Sequence, residues 1–315
     1  MSLKQVKAKI RAVKKTEQVT KAMEAVSAAK MRKAQEWALS ARPYAFSAFK
    51  ILKDIISGRD YTKHPLIGSD ESKKVECALF IVITSDRGLA GSLNSSILRL
   101  LTRFISENKL QNNASFIAIG RKATEYVSRR KFETMFSQKS FEGRGNCQRI
   151  AFEDVVSRRE IAESNFRKGK FDRVYVVYTN FITTFAQEAS MHQIFPLIPS
   201  EVESILLSVR PRKGKYASLF YREPVVKDAL FTYEPSTEVV LDSLLSFLAE
   251  TIIFYAALES KASEHSARMV AMKSAGDKAK EVVKSLTRDY NKERQSIITR
   301  EMSEIVSGIE SLQTK

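Results

Sequence analysis

EVVLDSLLSFLAETIIFYAALESKASEHSARMVAMKSAGDKAKEVVKSLTRDYNKERQSIITREMSEIVSGIESLQTK (Glu238–Lys315) reaches the end of the chain with no proline and only two glycines, Gly276 and Gly308. Helices of compact domains are interrupted about every ten to fifteen residues. The stretch therefore predicts one continuous helix, roughly 115 Å long at about 1.5 Å rise per residue. The opposite end is similar: residues 1–57 hold no glycine and one proline, Pro43, and predict a second helix of roughly 80 Å. A globule of this chain length has a radius of gyration of about 20 Å, so neither helix fits inside one. Both must project, and each buries its apolar stripe best against the other. The predicted fold class is α/β: a long antiparallel two-helix coiled coil formed by the N- and C-terminal helices, with an inserted Rossmann-like α/β domain.

The seams support this. Leu3, Val6, Ile10 and Val13 stand at 3-4-3 spacing, and the pattern is expected to resume at Val19, Met23 and Val26 before an alanine-rich stretch. Pro43 is expected to bend the helix, and Gly58 to end it. On the C-terminal helix Leu241, Leu245, Leu248, Ile252 and Tyr255 form a 4-3-4-3 seam. Small residues dominate from Ala262 to Ala279, and Val283, Leu286, Tyr290, Ile297, Ile305 and Ile309 continue at looser spacing. Ser236 is a fair N-cap for this helix.

Between the two helices the period changes. Residues 58–74 read as a linker. Val75–Thr84 is a near-continuous apolar run, the mark of a strand buried on both faces. Ile97, Leu98, Leu101 and Ile105 follow at helical spacing. A strand at Ser115–Ile119, a helix to Arg130, a helix near Phe152–Lys168 and a buried strand at Arg173–Tyr178 come next, then an antiparallel pair between Ile182 and Leu197. This alternation predicts a mainly parallel sheet covered on both faces over 75–198. Residues 199–236, with Pro199, Pro211, Pro224 and Pro235, predict an irregular excursion or hairpin, and 237–315 is the C-terminal coiled-coil helix.

Composition narrows the function classes. The 315 residues carry a net charge of +16, which suits a nucleic acid, an anionic membrane surface or an acidic protein. Residues 1–57 hold thirteen Lys/Arg against four Asp/Glu, whereas 237–315 hold eleven against twelve. The excess is spread along the first helix rather than gathered with aromatics as in single-strand binders. Two cysteines, Cys77 and Cys147, form no disulfide framework. His64, His192 and His265 lack ligand partners at helical spacing, so no metal is expected. The N-terminus has no apolar signal region, and the most apolar stretch, Leu244–Leu258, is interrupted by Glu250. A cytosolic or peripheral chain is expected.

The turn SDRGLAGSLN (Ser85–Asn94) sits between a strand and a helix, where phosphate loops occur. It lacks the Lys-Ser/Thr ending of a P-loop and the dinucleotide spacing, and reads as a tight structural turn. Nothing in the residues supports catalysis, nor a bound cofactor. Three classes stay open at this point: a shaft or scaffold, a basic coiled-coil nucleic-acid binder, and an enzyme built on the α/β domain.

Four stretches carry a resemblance: IRAVKKTEQVTKAMEAVSAAKMRKA (Ile10–Ala34), the SDRGLAGSLN loop, SEHSARMVAMKSA (Ser263–Ala275) and YNKERQSIITREMSEIVSG (Tyr290–Gly308). In this order they resemble the gamma subunit of the F-type ATP synthase, bacterial type, over nearly the whole chain. The resemblance implies a non-catalytic central rotor shaft, one copy per complex. Its partners would be the alpha and beta subunits of the head, the epsilon subunit and the membrane c-ring, with no nucleic acid. The implied place is the cytoplasmic face of the bacterial inner membrane, peripheral to it, coupling proton or sodium flow to ATP synthesis or hydrolysis. The positions that match the family's contacts to beta subunits are Arg268, Arg294, Gln295, Thr299, Glu301 and Glu304. Met23, with Met269 and Met272, matches its coupling region. The apolar tip, Ile305, Ile309 and Leu312, is expected to slide in a hydrophobic collar. The chain departs from the family at Ile309, where alanine is usual, and at Lys278, where asparagine is common.

Overall fold

The computed structural model describes residues 3–58, 64–68, 75–138, 150, 152–198 and 233–313. The order of elements is α1 (Leu3–Gly58), β1 (Ala78–Ile83), α2 (Leu93–Glu107), β2 (Ala114–Ile119), α3 (Arg121–Arg130), β3 (Glu133–Gln138), α4 (Phe152–Arg167), β4 (Arg173–Phe181), β5 (Gln187–Phe195) and α5 (Thr237–Gln313). The two terminal helices are unbroken over 56 and 77 residues. α1 stays helical through Pro43 and ends at Gly58 as expected. Ser236 caps α5, its Oγ accepting the Val239 N–H at 3.3 Å.

The chain divides into two compact units, Met1–Ala28 with Arg268–Lys315, and Ala29–Ala267. The second is built on a five-stranded sheet of order β3-β2-β1-β4-β5. β1 pairs in parallel with β2 and β4, β2 with β3, and β5 closes the edge antiparallel to β4. Every residue of β1 and β2 is buried, because helices cover both faces. On one face α2 and α3 supply Ile97, Leu101, Ile105, Ala123 and Val127, packed on Phe80, Phe116 and Tyr175. On the other, α4 and the inner parts of α1 and α5 meet: Ala48, Leu52 and Ile55 share a core with Val155, Ala162, Leu241, Leu245, Leu248 and Ile252. Each terminal helix thus gives part of its length to the inserted domain. α5 includes a window apolar and long enough to cross a membrane by composition, yet 56% of it is buried within the protein itself.

Several expectations change. β1 starts at Ala78 rather than Val75, because the Glu76 and Cys77 amides donate to the Asp172 carboxylate at 2.9 and 2.8 Å instead of to a neighbouring strand. β3 was not expected; it lies at the sheet edge with no fully buried residue and has no continuous apolar run to announce it. The antiparallel pair does not lie within Ile182–Leu197: β5 folds back on β4, and residues 182–186 form the turn. Within 58–74, the described residues 64–68 are packed, with Leu66 buried and Ile67 bridged to Leu197. The excursion expected at 199–236 lies outside the described residues up to 232, as does Cys147.

In the first unit the seam of α1 also differs. Val6 is buried as expected, but Val19 and Val26 are 52% and 54% exposed, while Thr20 and Ser27 are buried. The heptad begun at Leu3, Val6, Ile10 and Val13 simply continues through Glu17, Thr20, Glu24 and Ser27. Opposite them stand Met272 and Ala279 on α5, both buried. A Cβ added to Gly276 would come within 3.1 Å of Thr20 Oγ1, so the Thr20 side chain packs tightly against α5 at a small residue. Small polar residues win the seam because close approach, not hydrophobicity, sets it.

Candidate functional site

All nine residues singled out by the resemblance fall in the first unit, and they separate into two groups. Arg268 and Met272 are buried, Met23 and Met269 half-buried. Since Thr20 faces Gly276, the antiparallel register brings Met23 within one residue of the level of Met272.

Arg294, Gln295, Thr299, Glu301 and Glu304 are all exposed. Continuing the same register one residue for one residue places Leu3 opposite Glu293, so α5 beyond that point has no stretch of α1 to face. The Thr299 hydroxyl donates to its own helix at Gln295 O, 2.9 Å. Glu304 pairs with Arg300 at 3.5 Å, both about seven-tenths exposed, a contact that contributes little by itself. These charges are therefore free to exchange partners at small cost.

The apolar tip read from the sequence at Ile305 and Ile309 extends back through Met302 and Ile298, which the sequence pattern did not single out. Ile298, Met302, Ile305 and Ile309 stand at 4-3-4 spacing and are 47–63% exposed. At about 100° per residue, Arg294 and Glu301 border this stripe on one side, with Glu304 further round on that side, and Gln295 and Thr299 lie on the other. Ile305 and Ile309, which continue the α5 spacing and were also expected to form an apolar tip, are exposed and not part of a packed seam. The signal was present in the sequence as a heptad phase, but only the length of α1 decides where that phase becomes surface. The side chain of Leu312 lies outside the described residues.

The turn after β1 is closed by its own side chains. Asn94 Oδ1 accepts the Ser85 N–H at 3.1 Å, and the Ser85 hydroxyl donates to Arg87 O at 2.8 Å. The first amides of α3 are also taken: Arg121 N–H donates to Asp86 Oδ1 at 2.9 Å and Ala123 N–H to Thr84 Oγ1 at 2.9 Å. Gly120 makes this possible; at φ 98°, a Cβ there would lie 2.2 Å from Thr84 O. A phosphate arriving at α3 would have to displace these groups, which favours the tight-turn reading.

Comparison with known proteins agrees with the geometry. A family model described as ATP synthase matches residues 2–312. Among solved structures, the chain is similar to one from the central stalk and c-ring of the Tetrahymena thermophila mitochondrial ATP synthase, at 22% identity over 82% of this chain and 99% of that one, with a TM-score of 0.56. It is also similar to one from the Euglena gracilis mitochondrial ATP synthase rotor, at 17% identity over 94% and 98%, TM-score 0.58. A third, from the OSCP/F1/c-ring part of the Euglena gracilis complex, gives 19% identity over 98% and 94%, TM-score 0.63. At these identities the structures share the fold.

Proposed function

The chain belongs to the gamma-subunit family of the F-type ATP synthase, the central-stalk rotor, and from that premise we propose how its residues take part in coupling. The chain is a non-catalytic shaft. Its exposed α5 stripe turns inside the head formed by alpha and beta subunits, and the active sites lie on those partners. The α/β domain works nearer the c-ring and the epsilon subunit, one copy per complex. Ion flow, of protons or sodium, is thereby tied to ATP synthesis or hydrolysis. The complex is membrane-associated, and we place this chain peripherally on the cytoplasmic face of a bacterial inner membrane.

One observation carries the reading: the last turns of α5 present an exposed heptad apolar stripe with charged residues along one border, neutral polar ones along the other, and no described part of α1 beside it. An apolar stripe on a stiff helix can slide in an apolar collar, because hydrophobic contact has no preferred direction. The flanking charges do have direction. A shaft drives its partners only if each orientation favours a different partner conformation. Turning one site from 1:99 to 99:1 takes about 5.5 kcal/mol. Arg294 and Gln295 on one level, and Glu301 and Glu304 one to two turns on, can supply part of this through charge-assisted hydrogen bonds made in one orientation and broken in the next. The basic face of α1, with Lys4, Lys7, Arg11, Lys14 and Lys15 exposed, fits an acidic cavity and makes assembly sensitive to salt.

The test is co-purification with a hexameric ATPase, followed by charge reversal. Arg294→Glu and Glu304→Lys are expected to lower coupled turnover by about fivefold or more while assembly yield holds. Normal coupled turnover in both variants would refute the contact roles. The nucleic-acid alternative predicts steeply salt-dependent DNA retention, and nothing in the fold or the comparisons supports it.

A further inference from the structure

α4 and α5 meet along a polar ladder. Arg159, Glu163 and Arg167 stand one turn apart on α4, and Asp242, Ser246 and Glu250 one turn apart on α5. Arg159 donates from Nε and Nη2 to Glu250 Oε1 at 3.0 and 2.6 Å. Ser246 Oγ donates to the two Glu163 oxygens at 3.1 and 3.0 Å, and Arg167 Nη2 donates to Asp242 Oδ1 at 2.5 Å. Each turn up α5 is matched by one turn down α4, so the three rungs share one antiparallel register. Glu163 also links the rungs, accepting from Arg159 Nη1 at 2.7 Å and Arg167 Nε at 2.8 Å. Glu163 and Glu250 are buried. Further along α5, Glu259 Oε2 accepts the Phe181 N–H at 3.1 Å, and the Ser263 and Ser266 hydroxyls donate to Thr179 O and Thr184 O at 3.2 and 2.7 Å. α5 is thus tied to α4 at one height and to the end of β4 at another.

Around these groups the contact is apolar, with Leu241, Leu245, Leu248 and Ile252 in the shared core. Apolar burial alone fixes neither angle nor height well, since it counts area and not direction. The ladder does fix them. A shift of one residue turns α5 by about 100° and would strand two buried carboxylates and two guanidinium groups, the costly state of a buried pair. Against well-packed apolar residues, however, an intact buried pair adds little net stability. Its contribution here is register.

We propose that this ladder is the torque joint of the chain, the contact through which twist applied to the α/β domain enters α5. The proposal rests on the rotor reading and adds to it which residues carry the load. They are positioning residues, so the test needs a readout beyond stability. The full chain is assembled with its catalytic head and membrane ring, a bead is fixed to the α/β domain, and the head is immobilised. The triple variant Arg159→Met, Glu163→Leu, Glu250→Leu keeps the burial and leaves Arg167 paired with Asp242. It is expected to assemble and hydrolyse ATP normally, but with torsional stiffness and ions pumped per ATP under load reduced about threefold. Arg159→Lys keeps the charge but loses the fork, and is expected to show a smaller loss of both. Wild-type stiffness and coupling in an assembled triple variant would overturn the joint. Should the triple variant not assemble, the same result in Arg159→Lys would overturn it. A wild-type chain that does not turn with the complex would overturn the rotor reading itself, a different result from a stiff variant in a turning complex.

Discussion

One helix, α5, lives in two environments. From Leu248 to Arg268 no residue is exposed, including Glu250, Glu259, Glu264 and Arg268. From Asn291 to Ser307 every residue is exposed except half-buried Ile297. Both stretches are helical, yet different forces hold them. The inner stretch is set by tertiary packing on all sides, so it tolerates residues of modest helix propensity such as Thr251, Ile252 and Ile253. The outer stretch depends on local propensity and on i,i+4 partners such as Arg300 and Glu304. The difference teaches what each part is free to do. The buried part fixes position, and the exposed part keeps its side chains available to something else.

The comparison can be broken at the buried end first. Leu245 is fully buried in the shared core, and Leu245→Ala should cost about 3 kcal/mol, measured by urea unfolding of the isolated chain. A loss below about 1 kcal/mol would mean that the inner stretch is not the anchor described here. Next comes the close approach in the first unit. Gly276→Ile must push the helices apart at Thr20, and should cost about 2 kcal/mol. Gly276→Ala should be near neutral, because the gain in helix propensity of about 1 kcal/mol offsets the tight 3.1 Å contact. Equal effects from both changes would show that the seam is looser than its geometry.

Acid sharpens the contrast more gently. The three histidines all lie in the second unit. Burial lowers His192 below its ordinary value of 6.5, and burial also lowers His64 despite the opposing pull of Asp242. For both, the unfolded chain binds a proton that the folded chain resists. Their contribution is intact above pH 6.5 and is lost as pH falls through the depressed folded values. The melting temperature should therefore drop on acidification below 6.5, and less steeply in His192→Gln. An unchanged slope in that variant would remove His192 from the account. The smallest effect is expected at the exposed end: Ile305→Ser and Glu304→Gln should each change the stability of the isolated chain by less than about 0.5 kcal/mol. A larger loss would mean that the stripe is already covered within the chain.

Much of this was legible in the residues. The absence of breakers announced both long helices, and the 4-3-4-3 seam from Leu241 to Tyr255 is buried as its spacing required. Apolar continuity revealed β1, β2 and β4. What failed did so for physical reasons. Val19 and Val26 looked like seam residues because they are apolar, but a heptad phase is set by geometry, and Thr20 and Ser27 hold it. β3 is an edge strand, and half-exposed strands carry little apolar signal. The ladder was visible only as two separate i,i+4 rows of polar residues; that Arg159 meets Glu250 depends on how the intervening chain folds, which spacing alone does not give. The exposed stripe at Ile298–Ile309 likewise needed the end of α1 to become a surface.

The closed turn after β1 has a consequence for the whole machine. Open sheets of this type ordinarily keep the crevice beyond their strand ends for a nucleotide. Here Asn94, Asp86 and Thr84 have filled the amides nearest that crevice with the chain's own atoms. A drive part that gripped ADP or ATP would soften or tighten with the energy charge of its surroundings. With those donors already spent on the chain's own atoms, a phosphate reaching this turn would have to evict Asp86 and Thr84 first.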